Sequence, residues 1–510
     1  MPLPLLRPYA TPLRRLGLAA LVPLAIVALP RSEAHEWNSP VTPAPRLWQE
    51  PAAPQAFRPL WAGPQAGAPA APGARDCSRA PRPIELLDPT APRQAQNHGY
   101  RGRSDARESE ALGKSAAPAG RSEAYADRAA PAAEAAAPSA HADERVRGLP
   151  QRAPRPRDEP VSAGVVDDNA DFGDFLAYRA RHSHLPVRPR DVSERVRLVV
   201  HDAAGRAVPD AEVSLHAGGR ELPLWARTDA GGQAWLHPAV LRDAPQGAHD
   251  DGFDPAVIEV QVRRGGAEGR ALLRRGQRDA LQVTLDAALP RERARLDLVF
   301  LVDATGSMAD EIDKLKRSMG AMAEQIARLP SRPDLCWALV AYRDRGDAFF
   351  VRGSDFSDDL GAFQRQLGAL QAGGGGDYPE ALNEALHTAV HRLSWRGDGA
   401  TRMVVLVADA PPQLGRGGPY YDDDMQAALA RGIKLFAVGA SGLDPVGEYV
   451  FRQAAQYTGG RFVFLTYAKA GDPASGPGRE TAHEVTNYSV ESLDKLVVRL
   501  VREELARRPG

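Results

Sequence analysis

Cysteine is nearly absent from this chain, with Cys77 and Cys336 the only two in 510 residues. Two thiols exclude a disulfide-stapled scaffold and a structural cysteine–zinc centre. Cys336, in the apolar run Leu335–Val340, reads as a buried strand residue, and burial alone accounts for it. A bridge to Cys77 is the alternative in an oxidising compartment. Excess charge of either sign is missing too. The formal net charge is −1, so no global field points to nucleic acid or an anionic membrane. After residue 29 no apolar stretch is long enough to span a bilayer. There is no Ser/His/Asp or Cys/His arrangement to support nucleophilic catalysis.

What is present begins with an address. Arg14-Arg15 precedes the apolar run Leu16–Leu29, which has the length of a signal-peptide core. Ser32-Glu33-Ala34 supplies small residues at the two positions a signal peptidase reads, so cleavage is expected after Ala34. An uncleaved anchor is the alternative. The arginine pair suits the twin-arginine route, but ordinary leaders also carry two positive charges. The chain is therefore expected to be exported, to the periplasm or the cell exterior.

Residues 35–165 are rich in Ala, Pro, Arg and Glu and poor in aromatics. Such a composition buries too little apolar surface to offset chain entropy, and a disordered, semi-stiff linker is expected. Residues 166–191 mix acidic side chains with Phe172, Phe175 and Tyr178 and read as a connecting arm with a short helix. They lack the regular Asp spacing and terminal Glu of an EF-hand.

From 192 to 288 the hydrophobic period is two. Val196–Val200, Ala211–His216, Leu224–Thr228, Ala234–Leu236, Val257–Val262 and Leu281–Leu285 are short candidate strands separated by Gly/Asp turns. That spacing predicts a small all-β sandwich. The segment resembles the carboxypeptidase regulatory-like repeats of exported proteins, which implies a spacer or stacking module.

From Leu296 strands and helices alternate. Leu296–Val302, Cys336–Tyr342, Met403–Val407, Ile433–Val438 and Arg461–Phe464 are apolar strands, and Ala348–Val351 reads as an antiparallel edge. Helices are expected over Met308–Leu329, Leu360–Leu370, Pro379–Leu393, Asp424–Ala430 and Pro445–Tyr457. Alternation of this kind builds a doubly wound, mostly parallel sheet of the α/β class. Ligands of such sheets sit beyond the carboxyl ends of the strands.

Three loops at those ends carry oxygen ligands. Asp303, Thr305 and Ser307 follow the first strand and are expected to point the same way. Gly373–Gly376 leads into Asp377, Pro379 and Glu380, with Asp377 read as a helix cap and Pro379 in the first turn. Asp409 follows the strand Met403–Val407. Carboxylates and hydroxyls are hard ligands suited to Mg²⁺, Mn²⁺ or Ca²⁺.

This set resembles the metal-ion-dependent adhesion site of von Willebrand factor A-type domains. Asp303, Thr305 and Ser307 match the first element, with Thr for the usual Ser, and Asp409 matches the last. Asp377 stands where the family usually has Thr. Ala341-Tyr342-Arg343-Asp344 and Gly-Gly-Asp-x-Pro-Glu resemble a bacterial subgroup. The resemblance covers 293–467, followed by a C-terminal extension, 468–510, with a helix. It implies a magnesium-class ion and a protein partner, bound rather than chemically altered. A vestigial site in a structural envelope protein, and a metal-dependent hydrolase, are the competing readings. A third carboxylate would leave the site at −1 after one divalent ion, weakening its pull on a partner's carboxylate.

Three further features have plainer readings. His387 and His391 lie at i, i+4 and are read as a solvated or core-edge pair. Arg345-Gly346-Asp347 is read as a turn, and Asp422-Asp423-Asp424 as a negative helix start.

Overall fold

The computed structural model describes residues 71–90, 160–243 and 255–508, apart from Asp377 and Asp398. The expected signal peptide (1–34) and residues 35–70 and 91–159 of the expected linker lie outside it. The described elements belong to one compact unit, Phe57–Gly510.

In chain order the strands are β1 (Pro83–Leu86), β2 (Ser162–Val166), β3 (Val196–His201), β4 (Glu212–Ala217), β5 (Arg220–Arg227), β6 (Gln233–Leu236), β7 (Val257–Arg264), β8 (Ala267–Arg274), β9 (Leu281–Thr284), β10 (Arg295–Asp303), β11 (Asp334–Tyr342), β12 (Val351–Ser357), β13 (Thr401–Ala408), β14 (Ile433–Gly439), β15 (Phe462–Thr466) and β16 (Val490–Ser492). The helices are α1 (Phe172–Arg181), α2 (Ile312–Ala327), α3 (Leu360–Gly368), α4 (Leu382–His391), α5 (Tyr421–Ala430), α6 (Pro445–Thr458) and α7 (Leu493–Ala506).

The main sheet has the order β1-β12-β11-β10-β13-β14-β15-β2-β16. Its centre is parallel: β10 pairs with β11 and β13, β13 with β14, and β14 with β15. Both edges are antiparallel. From β10 the chain first steps to β11 and later returns to the other side, to β13. That reversal is a topological switch point, the place where open α/β sheets take ligands.

The central strands are buried along almost their whole length, as continuous apolar runs covered on both faces require. One face packs on α2, α3 and α7, where Leu315, Met319 and Met322 present the buried stripe of α2. The other packs on α4, α5 and α6 and continues into the core of the two smaller sheets. Helix α6 shows why it starts and stops where it does. Asp444 accepts the Gly447 N–H at 2.7 Å, Pro445 occupies the first turn, and Gly459 ends the helix at φ +75°.

Two small sheets, β6-β3-β9 and β5-β4-β7-β8, occupy residues 196–284 with alternate residues buried. They are locked to the main sheet through Asp210, which contacts Arg402 at 2.8 Å and the Gly399 N–H at 3.0 Å. Lys434 of β14 adds a second tie, reaching Asp229 and Glu504 at 2.8 Å each.

Two parts of the expected linker belong to the fold instead. Residues 83–86 form β1, the outermost strand beside β12, and residues 162–166 form β2, between β15 and β16. Backbone pairing sets these short segments on the sheet edges, and Ile84, Leu86, Ala163 and Val165 pack their side chains on the core. Cys77 and Cys336 are joined by a disulfide with a Cα separation of 6.0 Å, so burial is not the whole account of Cys336. The arm carries the expected short helix. Helix α1 rests on α6, with Tyr178 stacked near Tyr449 and Arg179 donating to the Tyr449 hydroxyl at 3.0 Å.

Candidate functional site

The parallel register sets the site's first dimension. Asp303 stands beside Tyr342 on one side, and Val302 beside Val407 on the other, so β10 and β13 end level. Asp303 and Asp409 therefore emerge at the same sheet edge. The chain leaves the strand immediately after Asp303, and an Asx-type turn, not strand alternation, gathers the first motif. Thr305 donates to Asp303 Oδ1 through both its backbone N–H, at 2.9 Å, and its hydroxyl, at 2.7 Å. The Thr305 and Ser307 hydroxyls lie 3.0 Å apart.

The glycine loop packs directly against this turn. Gly306 N–H donates to Gly374 O and Gly373 N–H to Ala304 O, each at 3.0 Å. Gly375 has φ +69°, and a Cβ there would sit 2.8 Å from Glu380 Oε1 and 2.9 Å from Thr305 Cβ. Glycine is thus required by both backbone and space. The third loop joins through Glu380, whose N–H donates to Pro411 O at 3.1 Å and whose carbonyl accepts from Gln413 N–H at 3.2 Å.

These hydrogen bonds alter one expectation. Helix α4 begins at Leu382 with Ala381 at its N-cap, so Pro379 precedes the helix rather than opening it. Pro379 and Glu380 are held by the third loop instead. Asp377 lies outside the described residues.

The electrostatics are those of an uncompensated anionic nest. Asp303 and Thr305 are fully buried, while Glu380 and Asp409 are about 5% exposed. Burial, reinforced by the Asp409 charge, pushes the Asp303 carboxyl up to about 7. Burial and then Asp303, Asp344, Asp347 and Asp409 push Glu380 up to about 8. Asp409 is raised as well, chiefly by burial, against a hydrogen bond from Ser307. The buried Tyr342 hydroxyl lies beside Asp303, and its own pKa is driven well up by burial and by that carboxylate.

Asp303 Oδ2, Asp409 Oδ1 and Glu380 Oε2 are buried with no well-formed hydrogen bond. The nearby arginines are otherwise engaged. Arg343 donates to the carbonyls of Ala304 and Gln371, and Arg345 pairs with Glu384. Orphaned anionic oxygens of this kind fit a hard divalent cation better than any side chain present. The three carboxylates do not form a tight triad by themselves. Among the described residues the only His/Cys/Asp/Glu set with ligand atoms within 4.8 Å of one another is His387, His391 and Asp424. Hydroxyl oxygens of Thr305 and Ser307 would have to complete the shell.

Of the five residues expected at the site, the structure brings Asp303, Thr305, Ser307 and Asp409 together. Glu380 was not among them. Only the structure brings it in, through the strand-like bonds of its backbone to Pro411 and Gln413, which nothing in the sequence of the helix start announces. Asp347, of the Arg-Gly-Asp turn, serves the loop structure. Its Oδ2 accepts from the Asp344 N–H at 3.0 Å and the Gly375 N–H at 2.8 Å. Asp422 does more than favour a helix dipole, since it pairs with Arg188 at 2.5 Å and Arg190 at 2.7 Å.

Residues 297–466 match the von Willebrand factor type A domain. The chain is also similar to the alpha-protein kinase vwkA of Dictyostelium discoideum, 33% identical over 144 residues. That alignment covers 28% of this chain and 22% of the kinase, so the chain matches well under two thirds of that relative's length. No helix among the described residues is long and apolar enough to cross a membrane.

Proposed function

We propose that this von Willebrand A-containing chain is an exported protein-binding protein that engages its partner through a divalent cation at the β10–β13 edge. Von Willebrand A domains typically mediate protein–protein contacts, and that is the premise. The observation that carries the metal reading is the trio of buried, unpaired oxygens on Asp303, Asp409 and Glu380. Asp303, Thr305, Ser307 and Asp409 would hold the ion, with Glu380 next to it; Asp377, expected as a fifth ligand, lies outside the described residues. Mg²⁺ is the first choice, with Mn²⁺ or Ca²⁺ compatible with the same oxygens.

The ion's chemistry would be that of a Lewis acid offering a coordination position to a partner oxygen. The protein's own residues do the rest. The Thr305 contacts hold one Asp303 oxygen in place and leave the other free. Gly374 and Gly375 bring the backbone close enough to narrow the nest. Binding rather than catalysis is the reading the matched domain supports, since such domains typically mediate protein–protein contacts. Export rests on the leader-like segment Arg14–Ala34, and a cell-envelope setting follows from it.

Partner capture tests this reading. Tagged protein incubated with envelope extract in Mg²⁺ should retain a protein that chelator releases, and Asp303→Ala should retain none. Equal capture by wild type and Asp303→Ala, with or without chelator, would overturn it.

A further inference from the structure

Away from the sheet edge, α4 and α5 pack side by side on the same face of the main sheet. His387 and His391 are one helical turn apart on α4, and their rings stack with centroids 4.4 Å apart. Asp424 stands in the first turn of α5 opposite them. One of its oxygens, Oδ1, lies 2.9 Å from His387 Nδ1 and 2.9 Å from His391 Nε2. All three ligand atoms fall within 4.8 Å of one another.

We propose that His387, His391 and Asp424 form a second metal site, for a zinc-class transition ion, that clamps α4 to α5. Three observations point there together. The Asp424 side chain is only 3% exposed, yet its Oδ2 has no hydrogen-bond partner, a costly state for a carboxylate oxygen. The two imidazoles are 29% and 26% exposed, so an ion can reach them from solvent. The ligand set itself, two imidazole nitrogens and one carboxylate, is the borderline kind that Zn²⁺, Co²⁺ and Ni²⁺ favour over Mg²⁺ or Ca²⁺.

The distances suit this exchange. Zinc bonds of roughly 2.0–2.2 Å in tetrahedral geometry put neighbouring ligand atoms about 3.3 Å apart. The 2.9 Å contacts need to open by only a few tenths of an ångström. Three protein ligands leave one position for water. Binding requires both facing nitrogens to be unprotonated, so the two N–H groups that now serve Asp424 would give up their protons or switch tautomer. The site shares no ligand with the oxygen nest, and its existence does not depend on the function proposed above.

Calorimetric titration of Zn²⁺ into the full chain, with Mg²⁺ present in excess, tests the proposal. One zinc per chain should bind, and Asp303→Ala should leave that binding intact. His387→Gln and His391→Gln should each weaken it by more than roughly tenfold. Substituting Co²⁺ should give the visible absorption of a tetrahedral site, lost in both variants. Circular dichroism should show both variants folded, since each changes a partly exposed side chain. Failure of the wild type to bind zinc, or unchanged affinity in either folded variant, would overturn the proposal.

Discussion

At the scale of single residues, the site is governed by charge that the protein does not neutralise. Asp303 has an ordinary carboxyl value of 3.8 and a folded value near 7. A carboxyl raised on folding supports the native state below its unfolded pKa and withdraws that support as pH rises through the folded value. With chelator present, stability should therefore fall between about pH 4 and pH 7, by a few kcal/mol in order of magnitude. Glu380, raised to about 8, extends the fall upward. Saturating Mg²⁺ should remove most of this slope, so the gain in Tm on adding metal should grow with pH. Thermal melts across that range, with and without chelator, check it; parallel curves would count against the buried carboxylates as the cause. Gly375 gives a steric test. Ala there meets Glu380 and Thr305 and must adopt φ +69°. Gly375→Ala should cost at least about 1–2 kcal/mol from the left-handed backbone alone and should weaken metal binding, both measurable by melting with and without Mg²⁺.

At the scale of elements, two contacts tie outlying segments to the main sheet. The Cys77–Cys336 bridge ties the 71–90 segment to β11 across a sequence separation of 259 residues. Cys77→Ser should lower stability by about 2–4 kcal/mol. It should also expose residues 71–90 to limited proteolysis that leaves them uncut in the intact protein, a difference gel analysis reads directly. Asp210 joins the small sheets to the main one. Burial raises its carboxyl, but Arg402 and Arg227 outweigh that and hold it down at about 2. Its contribution is thus present above pH 3.8 and is lost as pH falls towards 2. Asp210→Asn leaves the buried Arg402 without its counter-charge and should cost about 3–5 kcal/mol at neutral pH. The variant's acid limb should be flatter than the wild type's in the same melts.

The strands β10, β11, β13, β14 and β15 were legible because apolar runs without alternation can only lie in a covered sheet. Strands β1 and β2 were not. Pro83–Leu86 and Ser162–Val166 are apolar runs of only four and five residues at the borders of Pro- and Ala-rich sequence, too short to stand out, and gain their place from pairing with β12 and β15. The start of α4 was misjudged for a similar reason. Local cap chemistry favours a beginning near Pro379, but the bonds of Glu380 to Pro411 and Gln413 compete and win.

At the scale of the whole molecule, sheet topology is what turns scattered motifs into one site. Asp303 and Asp409 lie more than a hundred positions apart in the chain and become neighbours because β10 and β13 run parallel in register. The order of loops was readable from the sequence. The orphaning of their carboxylate oxygens was not, because it depends on where Arg343 and Arg345 turn. The most direct measurement is calorimetric titration of Mg²⁺ into the wild-type chain and Asp303→Ala. Wild type should bind one ion at the sheet edge, with a stabilisation that rises as free metal exceeds its dissociation constant, and Asp303→Ala should show neither heat nor stabilisation. A wild type that binds no Mg²⁺, Mn²⁺ or Ca²⁺, or an Asp303→Ala variant that binds as tightly as wild type, would contradict the metal site and the function built on it.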